Sequence, residues 1–283
     1  MPTGPERPTL GALGRCRAGD PAIPVETARR LTGYFSELLP HLVAQTLAAE
    51  GEVWRVGDGE TVEGVLLLQP GERTATVFTR SPGVAETLLA GRGPIDVFSE
   101  SPLGRGPSER FGIWETELPR ATGRDHRFAH PVRLAEPADR GEVLDLIRTS
   151  LGAVDERWFR PLPLPPERGF VAEREGAIVG VAWVAAPGAV ARLHSLVVRP
   201  RYRGLGIGRD LWEVRAAWAE AHGARRLRAE IAETNAPSRA VARAAGMREI
   251  GEMYRCRWTD PAADPALSSE APRTGDRPSR SSP

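Results

Sequence analysis

Lysine is absent. All 38 basic residues of this 283-residue chain are arginines. A Walker-type phosphate loop, which needs a lysine before Ser/Thr, is therefore excluded. Cysteine is nearly absent. Cys16 and Cys256 are the only two, which gives neither a disulfide framework nor metal-ligand spacing. A reducing, cytoplasmic setting is the expectation. No apolar run approaches the roughly 20 residues that a spanning helix needs. The polar, proline-rich start, Met1 to Pro8, carries no signal-peptide pattern. An excess of one charge is missing too: 38 basic against 37 acidic residues leave a formal +1. With 6% aromatics and no aromatic platform, neither nucleic acid nor a membrane is an expected partner.

What is present is enough apolar sequence, 41%, to build cores for two domains of ordinary size. Residues before Val25 read as a loose leader. From Val25 to Glu50 apolar residues, Leu31 to Leu47 among them, recur at helical spacing, with Pro40 expected to kink or split the helix. Strands are expected at Val53–Val56, Gly64–Gln69, Thr74–Thr79, Ile95–Phe98 and Phe111–Leu118, with a helix near Val84–Leu89. After a polar link, a second unit opens at Pro131. It has a helix carrying Val143, Leu144, Ile147 and Leu151, then a proline-broken loop over Arg160 to Arg168. Strands follow at Phe170–Glu173, Ile178–Ala185 and Val190–Val198, then a long helix from Gly208 to His222 closed by Gly223. A strand at Arg226–Ile231, a helix at Ala236–Ala245 and a last strand at Glu249–Trp258 complete it. Residues 261–283 have the composition of a disordered tail.

The two halves echo one another. Gly59-Glu60-Thr61-Val62-Glu63-Gly64-Val65-Leu66 parallels Gly176-Ala177-Ile178-Val179-Gly180-Val181-Ala182, allowing one extra residue, and Gly112 falls where Gly246 would. Two related folds in tandem are expected, 1–129 and 130–260.

The most informative stretch runs from Leu193 to Leu211. A strand ends at Arg199-Pro200, where proline has no N–H to continue the ladder. Gly204, Gly206 and Gly208 follow and open a helix. Without Cβ atoms, successive amides converge on one point, and the helix adds its own unpaired amides and the positive end of its dipole. That makes an anion site suited to a phosphate or diphosphate. The Gly-x-Gly-x-Gly spacing lacks the wider last gap of the dinucleotide fingerprint, and no acidic strand end follows. The string Arg203-x-x-Gly206-x-Gly208, after a strand ending Leu-x-Val-x-Pro, resembles motif A of the GNAT superfamily of acyl-CoA N-acyltransferases. The resemblance covers about Val132 to Trp258. It implies an α/β fold of mixed, mostly antiparallel sheets flanked by helices, with acetyl-CoA as cosubstrate. The first half, with Arg80-Ser81-Pro82-Gly83 at the corresponding turn, is expected to be a degenerate copy without a cofactor loop.

The resemblance carries roles onto matching positions. The pantetheine arm would pair with Leu196, Val197 and Val198. The diphosphate would rest on Arg203, Gly204, Leu205, Gly206, Ile207 and Gly208, with Arg203 and Arg209 adding charge. Asn235 matches an asparagine near the thiol end, although it also fits a helix N-cap. Ser238 stands where a small residue is expected. A backbone amide near Val198 would polarise the thioester carbonyl. His194 is the leading base candidate, expected by two-residue alternation on one face with Leu196 and Val198. It resembles one of the paired strand histidines of the serotonin N-acetyltransferase branch, with Arg192 at the other position. Glu230 is a second candidate. Many members have a tyrosine seven residues past the asparagine as general acid; here it is Ala242, with Tyr254 or water as substitute. Trp158, Phe159 and Pro161 to Pro166 fall where the acceptor loop is expected. Trp114, Trp183 and Trp212 read as core. His41, His126, His130 and His222 read as surface or packing residues.

The resulting expectation is acetyl transfer to a primary amine of a small molecule or peptide by direct attack on the thioester. The alternative is a non-catalytic acyl-CoA-binding or regulatory domain. Monomer and homodimer remain open.

Overall fold

The computed structural model describes residues 12–57, 61–68, 74–103, 106–118, 129–151 and 167–260. The first half holds β1 (Ala12–Cys16), α1 (Val25–Leu31), α2 (Leu39–Ala48), β2 (Glu52–Gly57), β3 (Val62–Leu68), β4 (Thr74–Phe78), α3 (Pro82–Leu89), β5 (Ile95–Ser99) and β6 (Ser108–Glu117) as its first run of elements. The second run holds β7 (Val132–Leu134), α4 (Arg140–Leu151), β8 (Glu167–Arg174), β9 (Ala177–Ala185), β10 (Val190–Val198), α5 (Ile207–Ala221), β11 (Arg226–Ala232), α6 (Ala236–Ala244) and β12 (Arg248–Trp258). The second run thus repeats the first, strand for strand, six places on. Among the described residues no helix is long and apolar enough to cross a membrane.

These strands form one sheet in the order β1-β2-β3-β4-β5-β12-β6-β11-β10-β9-β8-β7. Only β4·β5 and β10·β11 are parallel. The expected mixed, mostly antiparallel α/β architecture is present. Its centre, however, is exchanged: β6 lies between β11 and β12, and β12 lies between β5 and β6. Each half completes its sheet with the last strand of the other.

The repeat is visible in packing as well. A methyl group on Gly64 of β3 would meet Val84 and Leu88 of α3 at 2.5 and 3.0 Å. A methyl on Gly180 of β9 would meet Ile207 and Leu211 of α5 at 2.8 and 3.0 Å. In both halves a glycine lets one helix turn sit against the sheet. Ile207 and Leu211 are thereby fully buried, a contribution of about 1.5–3 kcal/mol each. The α5 helix packs over β8, β9 and β10 on one face. On the opposite face, Val143, Leu146 and Ile147 of α4 pack with Val171, Val181, Trp183 and Val197. The apolar cluster under α1 and α2 reaches past its own half to Val190 and Met253.

Several expectations need correction. Residues 12–16, read as leader, form edge strand β1 paired with β2. The helix expected from Val25 is split, as anticipated, into α1 and α2, but Pro40 sits not at the break but in the first turn of α2, where its missing N–H costs nothing. Strand β8 begins at Glu167, inside the stretch expected to be loop. Gly112 does not correspond to Gly246: Gly112 lies within β6, whereas Gly246 is a left-handed residue (φ 74°) in the turn before β12. The core reading of Trp114, Trp183 and Trp212 holds, since all three are buried. Trp158, Phe159, the Pro161 to Pro166 run, His126 and the expected tail 261–283 lie outside the described residues.

Two outcomes follow. Gly180→Ala should destabilise the protein by about 1–3 kcal/mol, because the added methyl overpacks a filled site; urea unfolding with an unchanged midpoint would contradict this. A fragment of residues 130–260 lacks β6, so β11 and β12 lose the strand between them. It should not give the cooperative thermal transition of the full chain as a monomer; circular dichroism with size-exclusion chromatography reads the result.

Candidate active site

β10 pairs with β11 only at Val190↔Arg226, Ala191↔Leu227 and Arg192↔Arg228. Beyond Arg192 the strands part. β11 continues against β6, and β10 continues against β9 with a register shift between His194 and Val197. Ser195 occupies that bulge at φ +53°, a conformation rare for a residue with a Cβ. Arg215 of α5 closes the bulge from one side. Its guanidinium donates to the carbonyls of Trp183 (3.1 Å) and His194 (3.5 Å). Burial pushes it down to about 9. Past Arg192 the β10 backbone on this side has no partner on β11, so an extended ligand can pair with it.

β10 leads through a short 3₁₀ turn, Pro200–Tyr202, into the glycine loop. Gly204 and Gly206 have φ of 78° and 93°, which glycine adopts freely. Gly206 is the N-cap of α5 and brings no side chain to it. Among the described residues, no amide from Gly204 to Gly208 donates to a backbone carbonyl. The corresponding turn of the first half differs. There Ser81 caps α3 and accepts from the amide of Val84, while Thr79 accepts from the amide of Ser81 (3.1 Å). One helix start offers donors to an anion, and the other has spent them. Open amides, a cradle of two glycines and Arg203 and Arg209 beside it fit a diphosphate.

The loop borders a cleft of about 420 Å³. Every residue expected to hold the cofactor lines it except Leu205, which is exposed at the loop. Leu196, Asn235, Ser238 and Val241 also line a second cleft of about 340 Å³, which continues into the gap between β10 and β11. Asn235 is the N-cap of α6, accepting from the amide of Ser238 (3.2 Å). It serves the helix and lines both clefts. His194 and Glu230 line the second cleft, as does Ala242.

The bulge corrects the expected alternation. His194 is paired with Trp183, and Val197 with Val181; both partners belong to the α4-side core. Leu196 and Val198 pack with the opposite, α5-side core. His194 thus faces away from Leu196 and Val198. Its Nε2 is 2.6 Å from Glu167 Oε1, and its Nδ1 is 3.1 Å from Ser195 Oγ. The other Glu167 oxygen accepts from Gln45 Nε2 of α2 (3.0 Å). Burial pushes Glu167 up, but the charge and hydrogen bond of His194, with Arg192 beyond, hold it below the usual carboxylate range. Across the gap, Glu230 Oε2 accepts from Arg192 (2.9 Å). Glu230 Oε1 is buried without a hydrogen-bond partner.

Tyr254 is not brought to either cleft. It lies on β12, paired with Ser99 and Arg110, with β6 between its strand and β11. Its hydroxyl donates to Glu252, which is the main reason its proton is held more tightly than usual. Residues missed in the sequence are Glu167, hidden behind a proline run, and His41 and Gln45. These two are one turn apart on α2, so the i, i+4 spacing was their only signal. Burial pushes His41 down, partly opposed by Glu167. His130, read as surface or packing, is mostly buried and bonded through its amide and Nδ1 (3.1 and 2.8 Å) to Asp210 of α5. His222 stacks on Trp218.

Acidification should destabilise this site. Glu167 is depressed, so its contribution is present above the unfolded carboxylate value and lost as pH falls through the folded one. His41 is also depressed, so below its unfolded value of about 6.5 the unfolded chain binds the proton first. The thermal midpoint should fall from pH 7 to pH 4, and His41→Asn should flatten the upper part of that fall. A midpoint independent of pH across this window would contradict the assignment.

Residues 142–247 match the model of the Acetyltransferase (GNAT) family. No curated protein matches the chain. Among solved structures, the chain is similar to a GCN5-related N-acetyltransferase from Sphaerobacter thermophilus, at 15% identity and TM-score 0.55 over 87% of this chain and 95% of that one. It is also similar to a tandem GNAT protein from the clavulanic acid biosynthesis pathway, at 18% identity and TM-score 0.58 over 88% and 98%. A Drosophila protein gives TM-score 0.62 at 14% identity over the same shares. At these identities the likeness is one of fold.

Proposed function

We propose, from the match of residues 142–247 to the model of the Acetyltransferase (GNAT) family, that the chain is an acetyl-CoA-dependent N-acetyltransferase acting on a primary amine. The observation that carries this reading is the run of unengaged amides from Gly204 to Gly208 at the mouth of a cleft that continues between β10 and β11. The diphosphate of acetyl-CoA would be held by those amides with Arg203 and Arg209. The pantetheine arm would pair with Leu196 to Val198, with Asn235 and Ser238 alongside. The bound thioester supplies an activated acetyl group.

The remaining chemistry belongs to the chain. Glu167 is ionised and only accepts, so the Nε2 of His194 carries the proton, and Nδ1 is left as the acceptor. His194 Nδ1 takes the proton of the attacking amine, directly or through the Ser195 hydroxyl, and the Glu167 carboxylate stabilises the imidazolium that results. A backbone amide near Val198 polarises the carbonyl. As the C–N bond forms, the C–S bond breaks, and the leaving thiolate is protonated by water, because Ala242 offers no hydroxyl. Glu230, the second candidate base, lines the same cleft and is ion-paired with Arg192. We read 1–129 and 130–260 as the two units of a tandem protein, the first a degenerate copy without a cofactor loop.

Free-thiol release from acetyl-CoA with a panel of primary amines tests this. Release above hydrolysis with at least one amine is expected, and His194→Ala should lower kcat by about 10²-fold or more. A second reading is favoured by Ala242 at the position where the family carries a tyrosine: an acyl-CoA binder without turnover. Tight calorimetric binding of acetyl-CoA together with no release for any amine would select it.

A further inference from the structure

The second half's base pair is tied to the first half. Glu167 on β8 uses one oxygen for His194 and the other for Gln45 of α2, 122 residues away in sequence. His41, one turn before Gln45 on the same face of α2, is electrostatically coupled to Glu167, His194 and Arg192. Its Nε2 is buried without a hydrogen-bond partner, so a charged ring there would hold a buried donor with no acceptor, and His41 stays neutral. The helix is also fixed to the second half. Glu37, just before α2, accepts from Arg226 of β11 with both oxygens at 2.9 Å. Leu38, Leu39 and Val43 share a core with Val190 and Met253.

We propose that the first half supplies two positioning residues to the transfer site of the second: Gln45 holds the second oxygen of the Glu167 carboxylate and so sets how strongly that carboxylate acts on His194, and His41 forms the neutral wall that keeps that carboxylate's charge directed at His194. This rests on the reading of His194 as the base. The first half is then a component of the site, although its own helix start cannot take a diphosphate.

The groups facing His194 are Glu167 of β8, His41 and Gln45 of α2, Arg192 and Ser195 of β10, Glu230 of β11 and Arg215 of α5, whose guanidinium donates to the His194 carbonyl. Gln45 is the member whose removal leaves all the native charges in place. In Gln45→Met, Glu167 loses a competing donor and acts more strongly on His194, so the His194 titration moves up. In Gln45→Lys, the new charge offsets Glu167, and the titration moves down.

The experiment is a histidine-ring NMR titration of the full chain, with the His194 resonance assigned by its loss in His194→Asn. Opposite shifts of about half a unit or more in the two variants are expected. Acetyl-CoA affinity by calorimetry should stay within about twofold of wild type, which verifies the fold. If either variant fails to fold, His41→Asn must move the same midpoint at unchanged acetyl-CoA affinity. An unmoved midpoint in folded variants overturns the proposal. The readout needs no acceptor amine, so failure of amine transfer and failure of this inference are separate results.

Discussion

The ladder between β10 and β11 runs for three residue pairs and stops at Arg192↔Arg228. Both clefts, the candidate base and the proposed path of the acyl donor lie in or beside the space that opens beyond it. Two devices hold it open. The bulge at Ser195 turns β10 aside, and the buried Arg215 fastens the carbonyls of Trp183 and His194. Leaving strand backbone unpaired is costly unless something else pairs with it. An extended amide-bearing ligand can do so, along a strand edge that runs between the glycine loop and His194.

The exchange of β6 and β12 explains how the gap survives. β11 loses β10 as a neighbour but keeps a full partner in β6, which belongs to the first half. Its buried ion pair, Arg228 with Glu115 of β6, also joins the two halves. The halves share one layout and differ at the turn that matters. In the second, Gly206 caps α5 with no side chain; in the first, Ser81 and Thr79 engage the equivalent amides.

Local features were legible in the sequence because they depend on neighbouring residues. The glycine loop, the cap at Asn235 and the likeness of Gly64 to Gly180 are all set by spacing, and each is present. The face of His194 was misjudged because alternation assumes an unbroken strand, and nothing in His-Ser-Leu announces a bulge. The exchange of β6 and β12 was not legible, since partner choice among strands of similar pattern is decided by the whole sheet. Glu167, His41 and Gln45 were missed for the same reason. Their meeting is made by tertiary packing, and a histidine and a glutamine four apart on a helix look like surface.

The most direct measurement is the electron density of a crystal soaked with acetyl-CoA. The account predicts the diphosphate on the amides of Gly204 to Gly208, the pantetheine arm along Leu196 to Val198, and the thioester at the gap between β10 and β11. Density for the coenzyme on the first half, or an arm that leaves the β10 edge, would contradict it.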